Sequence, residues 1–479
     1  MRGHFCRGCG KKLEADWKAC PYCKIDIMEE CSNCGKGVDI NWHSCPFCGS
    51  QIHKTTIEEH KTHVHSDEKK SNLPITKWRK VSSETHPIHN IKKKIAAVVF
   101  PMTSNADKYY TEGVALSELG KYSEAITCYD KAIAIDPNYV EAWNNKGNAL
   151  YMLGKYSEAI TCFDKVIEID PNNDVAWTNK GSTLHELGKY SEAITCYDKA
   201  IAIDPNNDVA WNNKGNALYM LGKYSEAITC FDKVIEIDPN NDSAWNNKGN
   251  ALNTLGICSE AITCFDKAIA IDPNDFAAWA NKGSAFHRLG KYSEAITCFD
   301  KVIEIDPNDA KVWIYKGSAL NELGKCSEAI TCFNKAIKVD PNNVAAWDNK
   351  GNALYMLGKY SEAITCFDKV IEIDPNNDVA WTNKGSTLHE LGKYSEAITC
   401  FDRAIAIDPN NDVAWTNKGF ALALQKKYSE AITCYDKAIA INPKFALAWG
   451  NKCDALQKQG RWNEAEECFN KAKKLGYTE

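Results

Sequence analysis

The stretch VEAWNNKGNALYMLGKYSEAITCFDKVIEIDPNN, residues 140–173, decides the fold. Its first half has a helical pattern, and Gly154-Lys155 then breaks the chain. Ser157 is placed to cap a second helix, in which Ala159, Ile160, Phe163, Val166 and Ile167 share one face at helical spacing. Pro171 and the Asn pair behind it stop that helix and turn the chain. The unit therefore reads as an antiparallel helix pair whose apolar face cannot be buried alone.

The stretch is not alone. Trp143 recurs as Trp177, Trp211, Trp245, Trp279, Trp313, Trp347, Trp381, Trp415 and Trp449, always 34 residues apart, and Tyr109 takes the same slot one period earlier. Eleven units thus tile 106–479: 106–139, 140–173, 174–207, 208–241, 242–275, 276–309, 310–343, 344–377, 378–411, 412–445 and 446–479. Stacked pairs bury a continuous core, so the expected fold is all-α, a quasi-one-dimensional solenoid. The copies are close; 174–207 and 378–411 differ only at Tyr197/Phe401 and Lys199/Arg403, as recent duplication would leave them.

The unit resembles the tetratricopeptide repeat (TPR): Trp143, Gly147, Tyr156, Ala159, Phe163, Val166 and Pro171 match its signature slots in order, and the likeness covers about 374 residues. The resemblance implies a right-handed TPR superhelix with a concave groove lined by the first helix of each pair. It also implies a non-enzymatic scaffold whose partners are proteins or peptides. The last unit departs from the pattern, with Cys453 in the Gly slot, Tyr477 in the Pro slot and a more charged second helix, as suits a polar terminal cap.

Ahead of the array, residues 1–50 hold CRGCGKKLEADWKACPYC (6–23) and CSNCGKGVDINWHSCPFC (31–48). Each is a CxxC pair, ten residues, then a second CxxC pair. Two facing knuckles complete a thiolate tetrahedron around zinc and leave no open coordination position, so such sites are structural. This head resembles the double zinc ribbon. The resemblance implies two zinc ions, one held by Cys6, Cys9, Cys20 and Cys23 and the other by Cys31, Cys34, Cys45 and Cys48; interleaved pairing stays open. A finger built from Cys45, Cys48, His60 and His65 competes, but it would strand Cys31 and Cys34 and lacks the internal aromatic and Leu of such fingers. Residues 51–105 read as a basic, His-containing linker.

Charge divides the chain. Residues 1–105 carry 17 Lys+Arg against 11 Asp+Glu, and the remainder 40 against 52. Nucleic-acid contact through ribbon and linker, with the array recruiting proteins, is the second class of function. It is disfavoured by the head itself, which with two metal–thiolate centres is net negative, at about −3. No apolar run reaches the roughly 18 residues of a membrane span, and the first residues lack the apolar core of a signal peptide. A cytoplasmic, reducing setting follows, in which disulfides are not expected.

Two rows along the array could carry function. Two residues after each Trp stands Asn: Asn145, Asn179, Asn213, Asn247, Asn281, Asn349, Asn383, Asn417 and Asn451, with Tyr315 the one interruption. Asn is a mediocre helix former, and its amide both donates to and accepts from an extended backbone. Likeness to the asparagine ladder of the O-linked N-acetylglucosamine transferase, a repeat-bearing enzyme, implies a grip on peptide main chain. Duplication of a family consensus residue explains the row equally well. Asn148, Tyr151, Tyr219, Ser182, His185 and His287 join it as groove candidates, whereas the Lys after each Asn reads as a solvated face. The second row is the cysteine of AITCFDK, present in all eleven units, for example Cys162. Helix spacing of about 8–10 Å puts neighbouring copies beyond the roughly 7 Å reach of a disulfide, so these thiols read as small hydrophobes. No Gly-rich phosphate loop and no HExxH motif is present, and no catalytic constellation is expected.

Overall fold

A computed structural model describes residues 104–477 and, nearer the N-terminus, the backbone of four short strands. The chain divides into two units, Met1–Lys70 and the remainder from Ser71. In the first, β1 (His4–Cys6) pairs antiparallel with β2 (Lys12–Leu13) and with β3 (Ile27–Glu30), and β3 pairs with β4 (Gly37–Val38). The sheet order is β2-β1-β3-β4.

In the second unit the described residues form 22 helices, α1 to α22, as eleven pairs. The repeat at 140–173 gives α3 (Val140–Met152) and α4 (Tyr156–Ile169). Gly154, at φ 74°, closes the first helix in a left-handed turn, with Gly154 N–H donating to Tyr151 C=O and Lys155 N–H to Leu150 C=O. Ser157 does not cap the second helix. That helix already begins at Tyr156, its N-cap position is Lys155 without a side-chain bond, and Ser157 lies inside the first turn. The capping residue is one helix further on: Asn173 Oδ1 accepts from Ala176 N–H at the start of α5 (Asp174–Glu186). Asp170 Oδ1 meanwhile accepts from Asn172 N–H. The DPNN tetrad is thus a turn and the next helix's cap in one.

Why Gly147 is glycine follows from packing. A Cβ there would lie 2.6 Å from Cε1 of Phe163, a ring only 1% exposed. Ala142, Ala149, Leu150, Ala159, Cys162 and Val166 complete the unit's buried face. Ile160, at its flank, packs against the next unit's Leu184, Ala193, Cys196 and Tyr197. One side chain in each second helix therefore belongs to the following repeat's core, as nearest-neighbour stacking requires.

First helices of successive units touch each other along the whole array, for example α3 with α5, while the second helices make no comparable contact. The solenoid therefore curls with its first helices inside. Polar keys lock the stack. Lys146 Nζ reaches Asp130 Oδ1 at 2.6 Å, and equivalent pairs recur at Lys180–Asp164, Lys214–Asp198, Lys248–Asp232, Lys282–Asp266, Lys316–Asp300, Lys384–Asp368, Lys418–Asp402 and Lys452–Asp436. The lysine row read as solvated is instead ion-paired across units, each ammonium also lying over its own Trp, as Lys146 does over Trp143 at 5.2 Å. Trp143 in turn donates from Nε1 to Pro137 C=O at 3.0 Å.

At the far end, Gly476 (φ 89°) follows α22 (Trp462–Lys474), and the Tyr477 ring lies against Gly450, where a Cβ would come within 2.3 Å of it. The residue in the Pro slot covers the exposed flank of α21 (Ala446–Lys458).

Candidate functional site

The inner face is built by the row of first helices, and the Asn row lies on it, partly or fully buried. Seven of its nine amide nitrogens are engaged within the array. Asn145 Nδ2 donates to the Tyr110 hydroxyl (3.1 Å), Asn179 to Asn144 Oδ1 (3.1 Å), Asn247 to Asn212 Oδ1 (3.2 Å) and Asn281 to Asn246 Oδ1 (3.0 Å). Thr178 and Thr382 instead bond their own helix carbonyls, and there Asn213 and Asn417 reach one turn further, to Ser182 Oγ and Ser386 Oγ. Asn383 donates to Asp348 Oδ1 at 3.2 Å. Asn349 faces the unit whose corresponding residue is Ile314, and neither it nor Asn451 makes a side-chain bond among the described residues. The row therefore ties neighbouring first helices together. The carbonyl oxygens of these asparagines have no intramolecular donor among the described residues and can accept from a ligand.

The other candidates sit on the same face. Asn148 is half-buried and without a hydrogen bond in the array. Burial, together with the nearby Glu186 carboxylate, raises the Tyr151 phenol well above the ordinary range. Tyr355 and Glu390 repeat the arrangement. The Tyr219 hydroxyl is 3.0 Å from Thr254 Oγ1. His185 and His287 lie edge-on to Tyr190 and Tyr292, and burial lowers both imidazole pKa values. Arg288, one of few inner-face cations, is held by the carbonyl oxygen of Asn253.

The fourteen array cysteines are buried and free, and burial pushes Cys162 and its equivalents, such as Cys230 and Cys400, up to about 11. In the head, Cys9 lies in the connection from β1 to β2 and Cys31 and Cys34 in that from β3 to β4. Cys9, Cys20, Cys23, Cys31, Cys34, Cys45 and Cys48 lie outside the described residues, as do His60 and His65; Cys6 ends β1. Eight cysteines in CxxC pairs are a donor set that fits two thiolate-bound zinc ions.

Family models match repeat after repeat. A TPR repeat model matches 113–154, 181–222, 249–290 and 317–358. Tetratricopeptide repeat models match 140–173, 209–241, 276–309, 344–377, 379–411 and 413–445, and also 162–195 and 230–262. The chain belongs to the tetratricopeptide repeat family. A double zinc ribbon model matches 6–49, and a PPR repeat model matches 454–477 within the last TPR unit. A search of curated proteins returns no match. Among solved structures, this TPR array is similar to YrrB, described as "a TPR protein with an unusual peptide-binding site", at 26% identity over 38% of this chain and 95% of that one, TM-score 0.34. It is also similar to yeast Tom70 (16% identity, 78% and 92%, TM-score 0.42) and to a tetratricopeptide repeat protein from Parabacteroides merdae (19%, 52% and 98%, TM-score 0.43). No helix among the described residues is long and apolar enough to cross a membrane.

What sequence reasoning passed over is on the same face: Asp348, Met356, Phe420 and Leu424. The signal was available. The blocks 140–207 and 344–411 differ at only four positions, and two of the four, Glu141/Ala345 and Asn144/Asp348, lie on first helices.

Proposed function

We propose that this TPR protein is a non-enzymatic interaction scaffold that binds extended peptide or protein segments along its inner face. The zinc-bound head serves as an accessory docking module. The row of asparagine carbonyls left without donors carries the reading, since an extended backbone presents N–H groups at regular intervals and pairs with such acceptors. Inner-face tyrosines and histidines add contact area at little entropic cost. The test is a photo-reactive phenylalanine placed either at Asn148, on the inner face, or at Thr161, exposed on a second helix, with the full chain irradiated in native extract. Discrete adducts at position 148 and none at 161 are expected. Equal yields at both positions, or none at 148, would overturn the scaffold reading. For the head we propose two structural ions; metal analysis should return about two zinc per chain, and a head that stays folded without metal contradicts the assignment.

A further inference from the structure

Near-identical copies make the chain its own control. Between 140–207 and 344–411 the differences Tyr197/Phe401 and Lys199/Arg403 keep size and charge. The other two do not: Glu141 becomes Ala345 and Asn144 becomes Asp348. One negative charge is lost and one gained, about one helical turn apart, on α3 in the first block and on α15 (Val344–Met356) in the second.

Asp348 is an unusual place for a charge. Its Oδ1 accepts from Asn383 Nδ2 at 3.2 Å and its Oδ2 from Asn352 Nδ2 at 3.0 Å, both neutral amides. Burial raises its carboxyl pKa, and the two amides only partly offset this. No cation of the array pairs with it: Lys350, on the same helix, lies over Trp347 at 5.1 Å, and Asp348 makes no ion pair among the described residues. Lys384 and Lys418, on α17 (Asp378–Glu390) and α19 (Asp412–Leu424), are committed to Asp368 and Asp402. A charge so placed lowers the stability of the free protein unless a ligand cation meets it.

Apolar surface is exposed on the same helix and on the first helix two units further on. Met356 is 65% exposed. Phe420 and Leu424, a helical turn apart on α19, are 41% and 45% exposed. Where Phe420 stands, earlier units carry Asn148, Ser182, Asn216 or Ser386. The Phe420 ring stacks on His389 at 5.0 Å and 30°, which fixes it as a floor. Glu390 adds a second carboxylate on the intervening helix. The patch is acidic at one end and apolar at the other.

Resting on the scaffold reading, we propose that α15, α17 and α19 form a subsite for an extended peptide whose Lys or Arg meets Asp348 and whose apolar side chain seats on Phe420 and Leu424. First helices two units apart are separated by roughly 20 Å, from packing distances of about 8–10 Å per step. An extended chain covers that in about six residues.

The experiment uses the full-length protein and fluorescence anisotropy. The probes are three labelled, unstructured peptides identical but for one position, which holds Lys, Gln or Glu about six residues from a Leu. The Lys peptide is expected to bind on the order of tenfold more tightly than the Gln peptide, and the Glu peptide more weakly still. Asp348→Asn should bring Lys and Gln peptides within about twofold of each other. It should leave helical content unchanged, because Asn144 and Asn212 already occupy this position in near-identical units. Phe420→Ser, the residue found at Ser386, should weaken all three peptides alike. Equal binding of Lys and Gln peptides by the unaltered protein, a Lys preference surviving in Asp348→Asn, or no peptide binding at all would each overturn the subsite. In each of those cases adducts at position 148 would still uphold the scaffold, so the two readings fail separately.

Discussion

Gly283→Ala, in α11 (Phe276–Arg288), sets two effects of known sign against each other. The new methyl would lie 2.5 Å from Cε1, 2.9 Å from Cδ1 and 3.0 Å from Cζ of Phe299. That ring is 1% exposed and enclosed by Ala280, Ala295, Val302, Val312 and Ala319, so it has nowhere to retreat. Replacing glycine by alanine in a helix interior stabilises by about 1 kcal/mol. Overpacking a tight core costs about 1–3 kcal/mol, and three ring atoms at or below 3.0 Å put this site toward the upper end. The net expectation is a loss of about 1–2 kcal/mol. The last repeat supplies a precedent: Cys453 fills the equivalent slot, and Phe469 there is only partly buried, where Phe163 and Phe299 are fully so. In a one-dimensional array the loss falls on one unit and its two interfaces. Hydrogen exchange should therefore quicken in α11 and α12 (Tyr292–Ile305) and their neighbours while α3 and α4 keep their protection. Adding Phe299→Leu should recover part of it. A gain of about 1 kcal/mol, the helix-propensity result alone, would refute the packing argument, as would a loss spread evenly over the array.

Three further outcomes follow from the geometry. Lys426 stands at φ 64° in the turn slot that ten other units, among them Gly154 and Gly392, give to glycine, so Lys426→Gly should raise the thermal midpoint by relieving roughly 1–2 kcal/mol of left-handed strain; a lower midpoint speaks against it. Burial raises the Asp348 carboxyl pKa, so the folded state keeps its proton to higher pH than the unfolded chain, and stability falls as pH rises from the ordinary carboxylate range through the raised value. Asp348→Asn should then be the more stable protein at pH 7 in urea titrations, and equal midpoints there would contradict the burial. Array thiols such as Cys162 and Cys230, pushed up to about 11, should resist a disulfide reagent at pH 8 until the protein unfolds; rapid labelling of the folded array would remove their role as packing groups.

The helix pairs, their number and their buried slots were legible because each signal is local and repeated eleven times. Ala159, Phe163 and Val166 could be read as one packed face from spacing alone, and all three are buried. Misreadings arose where a residue acts across a boundary. Ser157 looks like a cap by type, but the left-handed turn at Gly154 already starts the helix a residue earlier, while Asn173 caps a helix belonging to the next unit. Lys146 looks solvated because its partner, Asp130, sits on the preceding pair, and no periodicity within one unit reveals it. The Asn row was seen, but its ties to Asn144, Asn212 and Ser182 depend on how closely first helices approach, which only the stacked array fixes.

The ion pair between units is broken once. On α14 (Cys326–Val339), Asn334 stands where every other pairing unit has Asp, so Lys350 has no carboxylate to meet, and Asn349 finds Ile314 opposite it. Between 310–343 and 344–377 no lysine–carboxylate pair and no Asn-row bond crosses among the described residues; the seam is held by Ala346 and Ala353 packed with Phe333 and Ala336, and by the Trp347 Nε1 bond to Pro341 C=O at 2.9 Å. The row of lysine–carboxylate pairs thus falls into two runs, one across the first seven repeats and one across the last four. The gap between the two runs lies one residue-row from Asp348, so a guest seated there would bind beside the one seam that this row of ion pairs skips.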